Sequence, residues 1–266
     1  MSTGIRVAED PAELASLYGR HPQVHPYGLA DLDEPYWSRS TWYRRGDAVV
    51  AVLDLGSGEP VLYAIAHDPA TDAATLELLV DLGPDLPDHL VITGPIGLAR
   101  HLAGTFAADW VIPHVKLHLP DGGRLDPPDP RVRWLDRGDE ARVVALRAHG
   151  EDASAFFVPE LLEGGWYGGI EVDGTTDGEL AAVAGVHVIS ERHGVAALGN
   201  VLTRPDQRRR GLARALVSTL SARLLATVPT VGLNVGVDNA GARGLYEDLG
   251  FLPVVTYEEA ELRRLH

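Results

Sequence analysis

Apolar residues recur along the first half of the chain at the spacing of strands and helices in turn. The apolar runs at 47–56 and 59–68 are joined by a Gly-Ser-Gly turn, which predicts a β-hairpin. Further elements are predicted, in order, as a helix at 74–83, a buried strand at 89–94, a helix at 97–106 and a strand at 109–120. The first half is therefore expected to be a strand-rich α/β unit.

The second half repeats this order of elements. Helices are predicted at 139–150 and 156–165, and strands at 166–174, 178–190 and 193–203. A long helix follows, because five apolar residues recur on one helical face: Leu212, Ala215, Leu216, Leu220 and Leu224. The remaining elements are predicted as a strand at 230–239, a short helix at 240–250 and a final strand at 251–262. The chain is therefore predicted to contain a similar unit twice.

The segment at 122–134 separates these two regions and holds three prolines and two glycines. Such clusters are typical of loops and linkers. We therefore expect two domains, at 1–125 and 126–266.

Composition excludes several classes of protein. The 266 residues, 45% of them hydrophobic, are enough for one large core or two modest ones. No apolar run approaches the roughly 20 residues that span a bilayer, and the N-terminus lacks the apolar stretch of a secretion signal, so a cytoplasmic location is expected. The absence of cysteine excludes disulfides, thiolate metal sites and a cysteine nucleophile. The net charge of -15 argues against nucleic-acid and anionic-membrane partners.

Two histidine patterns have a spacing that invites comparison with metal ligands. The strand period places His114, Lys116 and His118 on one face, which is typical of a solvated face. His21 and His25, each followed by a proline, cannot share one face of a helix. No metal site is expected at either place.

The stretch NVLTRPDQRRRGLARA, at 200–215, concentrates positive charge in an acidic chain. Residues 201–226 hold six arginines and one acid, a local charge of +5. A turn from a strand into a helix leaves the first N–H groups of the helix without internal partners, and these bind anions, phosphates above all. Gly211 keeps the backbone open to a diphosphate, and Ala213 keeps the next turn nearly as open. The turn is therefore predicted to bind a phosphorylated ligand.

The spacing of the glycine distinguishes this turn from other phosphate loops. Neither G-x-x-x-x-G-K-[ST] nor G-x-G-x-x-G occurs here. Arg208 to Ala213 instead has the form R-x-x-G-x-A, which resembles the acetyl-CoA signature of the GNAT superfamily of N-acyltransferases. The resemblance covers residues 130–266 and includes four residues of the N...LY...GF ending of that family: Asn239, Tyr246, Gly250 and Phe251.

The N-terminal half resembles a degenerate copy of the same fold without such a loop. A tandem arrangement of this kind is similar to the glycine N-acyltransferase-like, or FR47-like, branch. The resemblance implies an α/β (α+β) fold of two GNAT-like units. Each unit is expected to be a mixed, mostly antiparallel, splayed sheet flanked by helices.

The resemblance also implies where the cofactor acetyl-CoA binds, with no metal. The backbone of Val201, Leu202 and Thr203 is expected to pair with the pantetheine arm as an added strand. The pyrophosphate is expected to lie among the backbone amides of Arg209, Arg210, Gly211, Leu212, Ala213 and Arg214. Arg208 or Arg210 adds charge, and Asn239 both caps the next helix and contacts the cofactor.

Acyl transfer from a thioester to an amine requires a neutral nucleophile, a donor to the oxyanion and a proton for the departing thiolate. We expect the Leu202 N–H to stabilise the oxyanion. Tyr246 is the expected acid, because the usual phenol pKa of about 10 is close to the thiol pKa of about 8.5. Alternatively, Tyr246 is a packed aromatic residue beside Leu245 and Leu249.

His187 is the expected base, because its strand face is otherwise apolar and a buried neutral imidazole can accept a proton. The alternatives are that His187 is a core histidine and that Glu171, or a water held by Asn200 or Asn234, is the base. Many relatives place a glutamate on the strand before the loop, whereas VAALGNVLT offers no acid. Three aromatic residues are assigned either to an acceptor pocket or to the core: Phe157, Trp166 and Tyr167.

The sequence therefore predicts an N-acyltransferase that moves an acetyl group from acetyl-CoA directly to a primary amine of a small molecule or peptide. The protein is expected to form no complex with membranes or nucleic acids, and a homodimer is compatible with the family. Two alternatives stay open. One is a CoA-binding or regulatory module without catalysis, and the other is nucleic-acid binding through RPDQRRRGLAR, which the net charge disfavours.

Overall fold

The computed structural model describes residues 4–54, 60–121, 123–149, 157–172 and 178–265. The strands, in chain order, are β1 (Arg6–Val7), β2 (Ser40–Arg45), β3 (Ala48–Leu53), β4 (Val61–Tyr63), β5 (His89–Gly94), β6 (Phe106–Leu119), β7 (Arg133–Trp134), β8 (Gly168–Glu171), β9 (Leu180–Ser190), β10 (Val195–Thr203), β11 (Thr230–Gly236) and β12 (Leu252–Arg264). The α-helices are α1 (Pro11–Tyr18), α2 (Pro26–Ala30), α3 (Pro69–Leu82), α4 (Leu98–His101), α5 (Glu140–Ala148), α6 (Leu212–Leu225) and α7 (Ala240–Asp248).

The chain divides by its contacts into two compact units. The first consists of 1–117, 235–239 and 253–266, and the second of 118–234 and 240–252. Segments near the end of the chain thus belong to the first unit. The domains at 1–125 and 126–266 stay a prediction.

In the first unit, the strand order is β1-β2-β3-β4-β5-β12-β6. β4 and β5 run parallel, whereas β2, β3 and β4 form antiparallel neighbours. The predicted hairpin is confirmed by the pairing of Ala51 with Tyr63 and of Leu53 with Val61. Its Gly-Ser-Gly turn lies outside the described residues. The apolar face of α3 supplies Leu78, Leu79 and Leu82 to the core.

In the second unit, the strand order is β11-β10-β9-β8-β7. Only the β10–β11 pair is parallel among the described strands of this unit, because α6 connects these two strands. The sheet is therefore mixed and mostly antiparallel, with helices packed on it, as the sequence predicts. Leu135, Val143, Leu146 and Val183 are among the residues that form a core between α5 and the sheet.

Helix α6 is buried over more of its circumference than one apolar stripe predicts. The five predicted residues are buried, and so are Ser218 and Thr219 on another face. The backbone N–H of Asp126 donates to Ser218 Oγ at 3.3 Å, and that of Asp129 donates to Thr219 Oγ1 at 3.0 Å. The Pro-rich segment therefore lies along α6 and covers its second face.

Two helix predictions are wrong in extent. Residues 156–165 were expected to be helical, but the described part contains only a 3-10 helix at Pro159–Leu162. A proline at its start and glycines at 164 and 165 leave too few residues for an α-helix. The helix expected at 97–106 is the four-residue α4, since Phe106 already begins β6.

The prediction of a solvated face on the strand at 109–120 is also wrong for its lysine. Lys116 is fully buried, as are Val115 and Leu117 beside it. Both faces of β6 are covered at this point, so the alternation of residue types does not separate a wet face from a dry one.

The helices are short relative to the roughly 20 residues that cross a bilayer. Among the described residues, none of them has the length and apolar composition that a transmembrane helix requires.

Candidate active site

The turn between β10 and α6 exposes backbone donors at the start of α6. Gly211 precedes the helix with a φ of 76°, and among the described residues no side chain caps the helix. The first intrahelical bond runs from the Ala215 N–H to the Gly211 carbonyl oxygen. The N–H groups of Leu212, Ala213 and Arg214 therefore lack helical partners. A Cβ on Gly211 would meet nothing within 4 Å, so the space in front of the helix is open.

Two arginines of this segment are bound by acidic residues of the chain, whereas three are exposed. Arg204 is bound by Glu179 and Asp206, and Arg214 makes a two-pronged contact with Asp126. Arg214 holds the pKa of Asp126 below its ordinary value through that hydrogen bond. Arg208, Arg209 and Arg210 are exposed, and Arg209 has a left-handed backbone with φ 64°.

Two of these arginines have no ion pair with the described residues. No carboxylate of the described residues lies within ion-pair distance of Arg209 or Arg210. The turn therefore presents positive charge together with unpaired amides, which suits a diphosphate.

Beside this turn, β10 and β11 separate. Their parallel pairing runs from Val195 with Thr230 to Leu198 with Leu233, and no later pair occurs among the described residues. Within the described part of the chain, the stretch of β10 that contains Val201, Leu202 and Thr203 therefore has one edge without a strand partner. Such an edge can accept an extended ligand as an additional strand.

The direction of the backbone groups at the end of β10 bears on the expected oxyanion donor. The Arg204 N–H donates to the Ala181 carbonyl oxygen on β9, and Leu202 is paired with Val183. N–H groups two residues apart point the same way in an antiparallel ladder, so the Leu202 N–H points at β9. This direction disfavours the expected role of the Leu202 N–H in stabilising the oxyanion, which stays a prediction. The N–H of Thr203 points toward the open edge instead.

Two irregularities in the β9–β10 pairing lie side by side. On β10, Asn200 and Val201 form a bulge, and Asn200 has a φ of 52°. On β9, His187 is the extra residue between the pairs of Val188 with Ala197 and of Val186 with Leu198. Bulges redirect side chains, and they are common beside active sites. They bring His187 and Asn200 together, a contact that strand patterns alone do not predict.

His187 lies in a tightly packed environment. Its Nε2 atom has almost no exposed surface, and a Cβ on Gly199 would lie 2.3 Å from its ring. Burial lowers the pKa of His187 to about 4, an effect opposed by a hydrogen bond with Asn200 and reinforced by the positive charge of Arg147. His187 is therefore neutral at pH 7, as a proton acceptor must be.

The alternatives for the base differ in their surroundings. Glu171 is exposed and is engaged in ion pairs with Arg142 at 2.6 Å and Arg133 at 3.3 Å. The Asn234 Oδ1 atom is buried at the point where β10 and β11 separate, and it has no hydrogen-bond partner among the described residues. An unsatisfied carbonyl oxygen at this place can accept a hydrogen bond from water or from an amine.

The three aromatic residues assigned either to an acceptor pocket or to the core differ in their contacts. The Arg223 guanidinium carbon lies 4.4 Å from the ring centroid of Trp166 and 4.1 Å from that of Trp134, so Trp166 has a packing partner. Tyr167 is fully buried against Phe157, and its hydroxyl oxygen accepts a hydrogen bond from Asn200 Nδ2. Tyr167 and Phe157 therefore belong to the surroundings of Asn200.

Tyr246 lies in α7 and is 5% exposed. The Phe251 N–H donates to its carbonyl oxygen and the Gly250 N–H to that of Glu247, which is the Schellman motif that ends a helix. Gly250 has a φ of 93°, and the Tyr246 and Phe251 rings are in contact. Much of the LY...GF ending is thus explained by this helix end. Burial raises the pKa of Tyr246 to about 12, further above that of a thiol than expected.

Asn239 lies immediately before α7, and its N–H donates to the Gly236 carbonyl oxygen at 3.0 Å. Its expected roles as a cap and as a cofactor contact stay predictions.

The first unit contains a similar strand, helix and parallel strand, but its helix begins differently. Asp68 caps α3, and its Oδ1 accepts hydrogen bonds from the N–H groups of Ala70 and Thr71 at 2.9 and 2.8 Å. A carboxylate of the chain thus occupies the place that a phosphate would take. The two units therefore differ in whether the start of this helix is open to an anion.

Three acidic or imidazole side chains of the first unit lie within reach of one metal ion. The atoms of His89, Asp109 and Glu261 that could bind it are within 4.8 Å of one another. Arg263 hydrogen-bonds both Asp109 and Glu261, however, and its positive charge opposes cation binding there.

Both the sequence and the fold of the chain are similar to those of known proteins. Residues 128–251 match the model of the acetyltransferase (GNAT) family. Over 91 residues, or 34% of the chain, the sequence is 40% identical to ribosomal protein bS18-alanine N-acetyltransferase of Escherichia coli K12. The match spans 55% of that enzyme, so the chain covers about half the length of the curated relatives it matches.

Solved structures share the fold over nearly the whole chain. A Drosophila protein has a TM-score of 0.71 at 17% identity and covers 97% of this chain and 98% of its own. A tandem GNAT protein from the clavulanic acid biosynthesis pathway has a TM-score of 0.53 at 14% identity, with 98% of both chains covered. At these identities the likeness concerns the fold alone.

Proposed function

We propose that this protein, whose residues 128–251 match the model of the acetyltransferase (GNAT) family, transfers an acetyl group from acetyl-CoA to a primary amine. The observation that carries the proposal is the pair of features at the end of β10. An uncapped helix N-terminus with exposed arginines lies next to a strand edge without a partner. Together they match a ligand that has a diphosphate at one end and an extended amide chain at the other.

The diphosphate is bound by the N–H groups at the start of α6, from Leu212 to Arg214, with Arg208 and Arg210 adding charge. The pantetheine arm lies along the free edge of β10, where the N–H of Thr203 is directed outward. This placement brings the thioester to the bulge at Asn200 and Val201. The backbone amides of the bulge, rather than Leu202, then stabilise the oxyanion.

The transfer is direct. The amine nitrogen attacks the thioester carbonyl carbon, the tetrahedral intermediate collapses with cleavage of the C–S bond, and an amide and a thiol are formed. His187 accepts the proton that the amine loses. Tyr246 donates a proton to the departing sulfur.

The acceptor class is proposed to include peptide α-amines. The E. coli relative is named for the alanine of a ribosomal protein, and it is 40% identical over the matched residues. A short peptide that begins with alanine is therefore the first acceptor to test, beside a panel of amino acids and polyamines.

Two measurements test the proposal. Isothermal titration calorimetry with CoA should give one site per chain, and the double variant Arg208→Ala, Arg210→Ala should bind at least tenfold more weakly. Mass spectrometry of the acceptor panel with acetyl-CoA should detect a product about 42 Da heavier than its amine, because an acetyl group replaces one hydrogen. A protein that does not bind CoA contradicts the function, and binding without any acetylated product favours the non-catalytic module.

A further inference from the structure

A groove in the second unit lies between helix α6 and the proline-rich segment that runs along it. The groove has a volume of about 400 Å³, and its apolar lining comes from Pro128, Val132, Trp134 and Ala222. Arg223 of α6 also lines it. We propose that this groove binds a small carboxylate with an apolar body, and that Arg223 holds the carboxylate group. About three helical turns separate Arg223 from the turn between β10 and α6, so this site is distinct from the proposed diphosphate site.

Contacts within the second unit hold the sides of the groove in place. The backbone N–H of Asp129 donates to Thr219 Oγ1 at 3.0 Å, so the proline-rich segment is anchored to α6 at the groove. Trp134 belongs to β7 and is paired with Gly168 of β8. A Cβ on Gly168 would lie 3.1 Å from Val132 Cγ1 and 3.8 Å from the Trp134 ring. Glycine at this position therefore leaves room for two side chains that line the groove.

Arg223 is held by contacts that leave part of its guanidinium group unpaired. Its guanidinium carbon lies 4.1 Å from the ring centroid of Trp134 and 4.4 Å from that of Trp166. Nη1 donates to the Gly165 carbonyl oxygen at 2.8 Å. No carboxylate of the described residues pairs with Arg223, and none of its side-chain nitrogens is both buried and without a hydrogen bond. The remaining N–H groups are therefore open to solvent, and a guanidinium group fixed in this way binds a carboxylate with little further loss of side-chain freedom.

The charges around the groove favour a ligand with a single negative charge. Asp129 also lines the groove, but Arg131 engages its carboxylate through Nε at 3.0 Å and Nη2 at 2.8 Å. Asp126, earlier in the same segment, is engaged by Arg214. Arg223 is thus the cation of the groove lining that has no acidic partner. A phosphate monoester would bring about two negative charges to one guanidinium group with Asp129 nearby, whereas a carboxylate brings one.

The apolar lining determines the rest of the ligand. Trp134 is 38% exposed, and indole rings pack well against other rings and against alkyl chains. The volume of the groove lies in the lower part of the range of small-molecule sites. An aryl or alkyl carboxylate of about ten non-hydrogen atoms therefore fits, with an expected Kd on the order of 1 mM. Such a carboxylate is either a free acid or the C-terminal residue of a peptide.

The five tryptophans of the chain provide a readout with an internal control. Trp134 and Trp166 contact Arg223, whereas the other three belong to the first unit: Trp37, Trp42 and Trp110. In ¹⁵N-labelled protein, the indole N–H signals are assigned with single Trp→Phe variants. Phenylacetate and hexanoate should shift the signals of Trp134 and Trp166 saturably and leave the other three unchanged. Phenylacetamide, which has a similar shape without the charge, should bind the wild type at least tenfold more weakly than phenylacetate.

Variants of Arg223 with a matched control locate the carboxylate. Arg223→Gln removes the charge and should weaken phenylacetate binding at least tenfold. Arg223→Lys keeps the charge without the planar fork and should weaken it about 3-fold to 10-fold. Arg20→Gln, which removes an arginine of the first unit that pairs with Asp47, is the control and should leave the affinity unchanged. The comparison of phenylacetate with phenylacetamide uses the wild type, so it holds even where a variant does not fold.

Further probes distinguish the source of the carboxylate. N-acetyl-L-phenylalanine represents the C-terminal residue of a peptide, so binding tighter than that of phenylacetate assigns the groove to a peptide terminus, and weaker binding assigns it to a free acid. Equal affinities for phenylacetate and phenylacetamide, or tighter binding of phenyl phosphate, would overturn the assignment of a carboxylate to Arg223. The absence of a saturable shift at Trp134 with all three carboxylates would overturn the site itself. These measurements use neither CoA nor an acceptor amine, so their outcome is independent of the proposed acetyl transfer.

Discussion

Lys116 has an unusual environment for a charged side chain. It is the only lysine of the chain, it is fully buried, and its Nζ has no hydrogen-bond partner among the described residues. The rings of Tyr27, Tyr257 and Tyr63 surround Nζ, with centroids 4.9, 5.9 and 6.0 Å away. Cation–π contacts offset part of the desolvation, but burial still lowers the pKa of Lys116 to about 7. An arginine could not lose its proton here.

The sign of the resulting pH dependence follows from linkage. Between pH 7 and about 10, Lys116 is neutral in the folded protein and protonated in the unfolded chain, so stability rises with pH. Asp31 affects the free energy of unfolding over a lower pH range. Burial raises its pKa to about 7, so its contribution falls as the pH rises from about 4 to 7 and is constant above that.

We therefore predict that Lys116→Met raises the free energy of unfolding at pH 7 by roughly 2 to 4 kcal/mol. The increase in stability between pH 7 and 9 should also be lost in this variant. Urea unfolding followed by tryptophan fluorescence at several pH values measures both effects. Lys116→Arg, which stays charged, should be less stable than the wild type at pH 9, and equal slopes in all three proteins would contradict the argument.

Tyr246 has a structural role and a proposed catalytic one, and Tyr246→Phe separates them. The ring contact with Phe251 is kept, so the midpoint of thermal unfolding should change by less than about 2 °C. If the hydroxyl donates the proton to sulfur, kcat should fall about 100-fold while CoA affinity is unchanged. Unchanged kcat, measured on the acceptor of the wild type, would leave Tyr246 as the partner of Phe251 in the Schellman motif.

At the scale of elements, helices α3 and α6 show how one fold can gain or lose an anion site. Each follows a strand and precedes a parallel strand. Asp68 satisfies the first N–H groups of α3, whereas Gly211 leaves those of α6 open. The two helices differ in one side chain at the cap. In the sequence, α3 is preceded by an aspartate that comes before a proline, and α6 by a glycine that comes after three arginines.

Gly211→Ala should therefore affect binding more than folding. The left-handed backbone costs alanine about 1 kcal/mol, but its Cβ meets no atom of the described residues within 4 Å. With CoA bound, the same Cβ would occupy the open space before α6, so we expect affinity to fall at least tenfold in calorimetry. Asp68→Ala should instead lower stability by about 1 kcal/mol and leave CoA affinity unchanged. Equal affinity in wild type and Gly211→Ala would place the diphosphate elsewhere.

The elements themselves were largely predictable from periodicity, because long apolar stripes such as that of α6 are strong signals. The details of the site were not. A bulge depends on the register of two strands, so the contact between His187 and Asn200 has no local signature beyond the Gly199-Asn200 pair within a strand. Lys116 was misplaced for a related reason, since alternation alone does not show that both faces of β6 are covered.

At the scale of the whole molecule, the charge is divided unevenly. The chain has a net charge of -15, yet Arg208, Arg209 and Arg210 adjoin one another at an exposed turn. A ligand with several phosphates is repelled by most of such a surface and attracted at this turn. Binding should therefore weaken as salt screens the arginines, over a Debye length of about 8 Å at physiological ionic strength.

The two units should consequently respond differently to CoA, and hydrogen exchange measures this residue by residue. At a CoA concentration of about 100 times Kd, the second unit should gain about 2.7 kcal/mol of apparent stability. Exchange should slow at the end of β10 and in the first turn of α6, where the amides become hydrogen-bonded to the ligand. The amides of Ala70 and Thr71, already bound to Asp68, should exchange at an unchanged rate. Protection at α3 without protection at α6 would mean that the first unit binds the cofactor, and the roles assigned to the arginine turn would then be wrong.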